Sequence, residues 1–351
     1  MCLIIPSNMI YDQWLNFQRS FLDSLQSRIG NIKLVDVLSN VLEISQNAAY
    51  KKINLATKLN LDEIIELSIR YQLSIDQFLS AKSSPIPFYS DAIRKMPEQP
   101  KDYFLNLIKH LYQLKELKGL NYINLTGEVP IFHIMPFRKL MFFKLFAWNY
   151  TSWSIKRYMD KFDLNSFIND KELNNNIDKC IHVYYKFQGI EIWNIRMMDI
   201  TLDQLKYFIQ LRIFPNKNVV QEIINEMFDL LDHLTKISES GTKLYETSTE
   251  LNKSLVKVYI SELVHANEVI YVNSDISDHI FCALDSPNFL RSSDPRVTEH
   301  VHQWLLKTLK HSSLISGEGE KDRRTLIQTI QQKLVKGNQE INNLLNFVYG
   351  M

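Results

Sequence analysis

The stretch Ile32-Lys33-Leu34-Val35-Asp36-Val37-Leu38-Ser39-Asn40-Val41-Leu42-Glu43-Ile44-Ser45-Gln46-Asn47-Ala48-Ala49-Tyr50-Lys51-Lys52-Ile53 decides the reading of the N-terminal part of this chain. Leu34, Val35, Leu38 and Leu42 recur at helical spacing and give one apolar face. Glu43-Ile44 makes a turn. Ser45 then suits an N-cap, because its hydroxyl accepts from an otherwise unpaired backbone N–H at the start of the next helix. That helix, 46–53, is short and mostly polar. Ala48 or Ala49 and Ile53 face the core, and a small alanine lets two helices cross closely. Gln46, Asn47, Tyr50 and Lys51 are left pointing outward near the helix start.

Working outward, residues 10–29 carry Trp14, Phe17, Phe21, Leu22 and Leu25 at helical spacing, and Gly30 suits a C-cap. Downstream, Asn60 or Leu61 opens a helix through Ile64, Ile65, Leu67, Ser68 and Tyr71. Ser74 is placed to cap a last short helix from Ile75 to Leu79. Ala81-Lys82-Ser83-Ser84-Pro85-Ile86-Pro87 has no periodicity and reads as a linker. The expected organisation is a helical domain at 1–80, a linker at 81–87 and a larger domain at 88–351.

Composition fits a globular protein: 351 residues, 45% hydrophobic, 23% charged, net charge +1. With 9 Gly and 10 Pro, chain-breakers are few, which favours helix. In the larger domain, Tyr103, Phe104, Leu107, Ile108, Leu111 and Leu114 form one helix face that ends at Gly119, and Tyr122–Leu125 is a candidate strand. Val219, Ile223, Met227, Leu230, Leu234 and Ile237 form another apolar face, closed by Gly241. The runs 256–260, 269–272 and 279–283 are β-rich and separated by polar turns, which predicts a small antiparallel meander. The expected fold is mostly α: a helical N-terminal bundle plus a larger α+β domain with a small antiparallel sheet.

The strings Leu34–Leu38, Ile44–Ile53, Leu61–Ile64 and Leu73–Leu79 resemble the lambda-repressor-like (XRE-type) helix-turn-helix domain. Pro130–His133, Phe143–Trp148, Glu191–Asn194, Thr201–Tyr207 and Leu314–Arg323 are similar to a group of bacterial regulators that join this domain to a large C-terminal region. Members usually carry an Arg-Gly pair where this chain has Leu55-Ala56. The resemblance implies transcriptional regulation and double-stranded DNA as partner. In the motif, the second helix sets its N-terminal side chains against base edges in the major groove. Gln and Asn pair with adenine, and Lys donates to guanine or phosphate. The expected DNA-binding residues are Ser45, Gln46, Asn47, Tyr50, Lys51, Lys52 and Lys58. The three lysines have no acid near them between Ser45 and Asn60. Such repressors commonly bind as dimers, so a homodimer through the larger domain is expected, with helix 219–237 packing internally or against its twin.

Other constellations are weaker. Ser313, Ser316, Gly317 and Lys321 precede a helix and are a candidate anion or ligand site; the competing reading has Ser316 simply capping that helix. Tyr184, Tyr185, Phe187 and Trp193, with Phe142, Phe143, Phe146 and Trp148, suit a core, or else a pocket for an effector of unknown class. His300, His302 and His311 lack metal-site spacing, and Cys2, Cys180 and Cys282 form no CxxC, so no cofactor or metal is expected. The start lacks a secretory pattern, and the apolar stretch 140–150 is too short to span a bilayer. A cytoplasmic protein off the membrane is the expectation. Two other functions stay open: a protein-interaction module on a degenerate helix-turn-helix fold, supported by the balanced charge of residues 1–82, and an enzyme in the larger domain.

Overall fold

A computed structural model of the chain describes residues 7–30, 32–71, 73–78, 86–90, 93, 95–156, 160–243, 254–263 and 268–350. The chain divides into two units, Met1–Pro87 and Phe88–Met351, each described by itself. Of the expected linker only Ile86 and Pro87 are among the described residues, and Leu79 also lies outside them.

The smaller unit contains α1 (Ser7–Ile29), α2 (Leu34–Val41), α3 (Gln46–Ile53) and α4 (Leu61–Tyr71). The last expected helix is a tight 3-10 turn, Ile75–Phe78. Phe21, Leu22, Leu25, Val35, Leu38, Ala49, Leu59, Leu67 and Leu73 form its core. α1 ends where the Gly30 N–H donates to the Gln26 carbonyl, with Gly30 at φ 62°, a left-handed conformation that glycine adopts without steric cost. Glu43 takes φ 52° in the turn between α2 and α3, which costs a non-glycine residue about 1 kcal/mol. α4 opens with a reciprocal box: Glu63 N–H donates to Asn60 Oδ1, and Asn60 N–H to Glu63 Oε2, both at 2.8 Å.

The larger unit runs α5 (Pro100–Lys115), β1 (Asn121–Leu125), α6 (Ile131–Ile134), α7 (Arg138–Trp148), α8 (Leu164–Asn169), α9 (Lys171–Tyr184), β2 (Gly189–Trp193), α10 (Asp199–Gln210), α11 (Lys217–Ser240), β3 (Thr242–Lys243), β4 (Ser254–Ile260), β5 (Val269–Asn273), β6 (His279–Asp285), β7 (Asn288–Ser292), α12 (Pro295–Lys310), β8 (Ser313–Leu314) and α13 (Glu320–Tyr349). The strands form one eight-stranded sheet ordered β3-β4-β2-β1-β5-β6-β7, with β8 also on β4. β1 and β4 flank β2 in parallel, and the other pairings are antiparallel.

This corrects the expected small antiparallel meander. The runs 256–260 and 269–272 are not neighbours, because β2 and β1 lie between them. Parallel strands need long crossovers, and here helices supply them, so the pairing partners are far apart in sequence. The meander holds only for β5, β6 and β7.

Strand alternation sends Ile123, Leu125, Ile192, Tyr271 and Ile280 to one face, where Val301 and Leu305 of α12 cover them. Tyr122, Trp193, Val256, Val258 and Val272 join the large helical core on the other. Phe142, Phe143 and Phe146 are fully buried there, in ring contact with Phe162, Phe167, Phe208 and Phe214. Lys144, which interrupts this apolar run, is buried too, its ammonium 2.7 Å from Glu128 Oε2 and 2.8 Å from Gln204 Oε1. The apolar face of α11 is buried inside the unit from Val220 to Ile237. That helix therefore has no apolar stripe left to pair with a twin.

Among the described residues, no helix is long and apolar enough to cross a membrane.

Candidate functional site

α3 is built as an exposed helix on a buried hinge. Ala49 is fully buried at its contact with α2. Ser45 Oγ accepts from the Ala48 N–H at 3.3 Å, a cap that contributes about 1 kcal/mol. Gln46, Asn47, Tyr50 and Lys51 are exposed. Two of the expected lysines are placed differently. Lys52 is largely buried, donating to Glu63 Oε2 at 2.8 Å and to the Lys58 carbonyl at 3.0 Å. It clamps α3 to the start of α4 and is not available as a surface cation. The Lys58 ammonium sits 4.7 Å from the centre of the Trp14 ring. Lys51 is the cation of α3 whose side chain has no partner among the described residues.

Behind α3 stands a residue that the sequence reading passed over. Gln18 of α1 is 2% exposed. Its amide donates to the Lys52 and Thr57 carbonyls at 2.9 Å each, and its oxygen accepts from the Leu59 N–H at 2.8 Å. A polar residue inside the stripe Trp14, Phe17, Phe21, Leu25 was the available signal.

The expected ligand loop does not assemble. Ser313 belongs to β8, and Ser313, Gly317 and Lys321 are exposed. The Ile315 and Ser316 N–H groups donate to the Val258 carbonyl, and that of Gly317 donates to Ser238. Ser316 Oγ accepts from the Val258 N–H at 3.1 Å, so it neither caps α13 nor faces a ligand. Gly319 is the N-cap, without a side-chain bond. The Ile315, Ser316 and Gly317 N–H groups are thus used by β4 and α11.

The larger unit instead holds a buried polar cluster under a cavity. Glu191, His133 and Lys243 are each fully buried. Glu191 faces the large core because Ile190 and Ile192 on either side of it face α12. Its Oε1 accepts from the Tyr184 hydroxyl at 2.6 Å and the Tyr122 hydroxyl at 2.9 Å. Its Oε2 accepts from Trp193 Nε1 at 2.8 Å and lies 3.0 Å from His133 Nε2. A carboxylate only accepts, so His133 carries the proton on Nε2. Burial by itself would raise the Glu191 carboxyl. The His133 bond, the Lys243 charge and the Tyr184 hydroxyl outweigh it and hold that group well below the ordinary carboxylate range. Burial pushes Lys243 down to about 7 against the pull of Glu191, and its ammonium lies 3.9 Å from the Tyr184 ring centre. His233, bonded to the Tyr185 hydroxyl at 3.0 Å, is pushed down to about 3, chiefly by burial.

Tyr122 and Tyr184 form the link from this cluster to a cavity of about 200 Å³ whose walls include Tyr103, Leu107, Phe132, Phe281 and Phe289. Phe132 stacks on Tyr184 at 4.0 Å. Of the aromatic residues singled out in sequence, Tyr184 and Phe187 reach this cavity, whereas Phe142, Phe143 and Phe146 are core. A second, more polar cleft of about 620 Å³ shares Tyr103, Ile131, Glu268, Pro287 and Phe289 with it.

No family model matches this chain, and no curated protein or solved structure matches it either.

Proposed function

We propose that this protein is a DNA-binding transcriptional regulator. In this reading α2, the turn and α3 act as a helix-turn-helix, α3 enters the major groove, and the larger unit serves dimerisation and signal sensing. One observation carries the reading: a capped, mostly polar helix is held by the buried Ala49 and presents Gln46, Asn47, Tyr50 and Lys51 outward from its first turns. These are the side-chain types that read adenine and contact phosphate.

The contact set is narrower than the sequence suggests, with Gln46 and Asn47 for bases, Lys51 for phosphate and Tyr50 alongside them. Few cations per copy mean modest affinity, so two copies on two half-sites are part of the proposal. Light scattering of the full chain at micromolar concentration should give twice the monomer mass, and a monomer would remove this part of the proposal.

Lys51 and Lys52 separate contact from scaffold. Lys51→Ala should weaken DNA binding and flatten the dependence of log K on log salt by up to about 0.9, the value of one phosphate contact. Lys52→Ala should lower stability by about 1–2 kcal/mol, because it breaks the bonds to Glu63 and Lys58, and should leave the salt slope of the folded protein unchanged. Salt titrations with melting curves check both, and an unaltered slope in Lys51→Ala would take α3 out of the interface.

A further inference from the structure

The two cavities of the larger unit differ in how their polar groups are satisfied. In the wider cleft, Lys144 pairs with Glu128, Asp199 with Lys333, and Asn194 donates to the Thr126 carbonyl. The smaller, aromatic cavity is lined by four residues with a buried polar atom that has no partner among the described residues: Tyr89 Oη, Asn124 Oδ1, Asn288 Nδ2 and Arg291 Nε. Asn124 is 3% exposed and Asn288 5%. Buried polar atoms are nearly always paired, because an unpaired one keeps the full cost of losing water. Residues carrying four of them line this one apolar cavity, a concentration that marks it as a place for a ligand.

The sheet register orders these groups. Asn124 pairs with Ile270, Ile270 with Phe281, Phe281 with Arg291, and Arg291 with Tyr89. One row thus crosses the cavity wall, with an amide oxygen at one end, a guanidinium and a phenol at the other, and Ile270 and Phe281 between. Asn124 and Arg291 are three strand spacings apart, about 14 Å between backbones. Arg291 and Tyr89, with the only charge among the four residues, stand at one end of the row and Asn124 at the other; Asn288 lies three residues before Arg291 on β7. Next to Asn124, Glu268 accepts its amide N–H at 3.0 Å, and burial pushes the Glu268 carboxyl up to about 7.

We propose that this cavity binds a small aromatic carboxylate that carries a hydroxyl or N–H at the end opposite its acid group. The carboxylate meets Arg291 and Tyr89, the ring lies among Phe132, Tyr184 and Phe281, and the far donor reaches Asn124 Oδ1. The volume is below the roughly 300–1,000 Å³ of pockets for drug-sized ligands, which limits the ligand to one or two fused rings. The inference gives chemical content to the sensing role proposed above, and its test does not depend on DNA binding.

Indole-3-acetate and 4-hydroxyphenylacetate, each titrated into the full chain by calorimetry or ligand-observed NMR, should bind with a Kd of about 1 mM or tighter. Indole and 4-hydroxyphenylacetamide, which lack the charge, should bind at least ~10-fold more weakly, the worth of a charge-assisted hydrogen bond. Arg291→Met should remove that preference, and Leu107→Trp should fill the cavity and abolish binding. Arg291→Lys keeps the charge but not the planar donor fork, so it serves if the methionine variant fails to fold. Absence of binding by both carboxylates at millimolar concentration overturns the proposal. So does binding that ignores both the Arg291 and Leu107 substitutions in variants that melt like the wild type.

Discussion

Glu191→Ala should lower the melting temperature of the larger unit by about 6–20 °C. The substitution removes one carboxylate from a site where nothing else can take its place. Tyr122, Tyr184 and Trp193 each lose the acceptor for a buried donor, His133 Nε2 loses its only bonded partner there, and Lys243 loses the anion that offsets its charge. Breaking a buried, hydrogen-bonded ion pair costs about 3–5 kcal/mol. In a unit of this size each kcal/mol moves the midpoint by about 2–4 °C. Four of the five tryptophans, Trp148, Trp153, Trp193 and Trp304, lie in the larger unit, so tryptophan fluorescence during a thermal ramp reads it directly. Glu191→Gln keeps the volume and part of the accepting capacity and should fall between wild type and alanine. A Glu191→Ala midpoint within a degree or two of wild type would mean that the cluster does not hold β1 and β2 to α6 and α9.

Gln18→Ala should lower the smaller unit's midpoint by about 8–30 °C and abolish specific DNA binding. The side chain has one bond to the last turn of α3 and two to the segment that joins it to α4, and all three partners are backbone groups. Their loss leaves the buried Leu59 N–H and two carbonyls to find water, at a cost of about 2–4 kcal/mol in total. A small unit has a small unfolding entropy, so each kcal/mol shifts its midpoint by about 4–8 °C. Far-UV circular dichroism follows this transition because the unit is helical. The effect on DNA arises because Gln18 fixes the C-terminal end of α3 through Lys52, not because it touches DNA. Gln18→Glu keeps an acceptor for Leu59 but turns a buried carboxylate oxygen toward two carbonyls, and should be destabilised at least as much as alanine. A transition unchanged in Gln18→Ala would show that the loop is held by its other contacts.

These two residues also show where sequence reading reached and where it stopped. Helix periodicity, the Ser45 cap, the glycine stop at Gly30 and the β-rich runs after Leu255 are local signals, and they located most elements. Lys52 looked like a surface cation because its neighbours in sequence are neutral, yet its partner Glu63 comes from the next helix. Ser316 looked like a helix cap, but its hydroxyl serves Val258, on a strand that only the folded chain brings near. β2 was not legible as a strand, since five residues with a buried glutamate at the centre break the apolar run that marks an interior parallel strand. That same glutamate is the centre of the buried cluster. The cavity could not be read at all, because its polar ends, Asn124 and Arg291, meet only through the pairings of β1, β5, β6 and β7.

The proposed regulator reads DNA selectively through α3. The most direct measurement is selection from a library of double-stranded DNA, including the segment upstream of the protein's own coding sequence, at two salt concentrations. The expected result is enrichment of a defined sequence with two half-sites, binding that weakens as salt rises, and loss of that enrichment when Gln46 and Asn47 are both changed to alanine. Weak binding equal on all sequences, or enrichment untouched by those two substitutions, would contradict it.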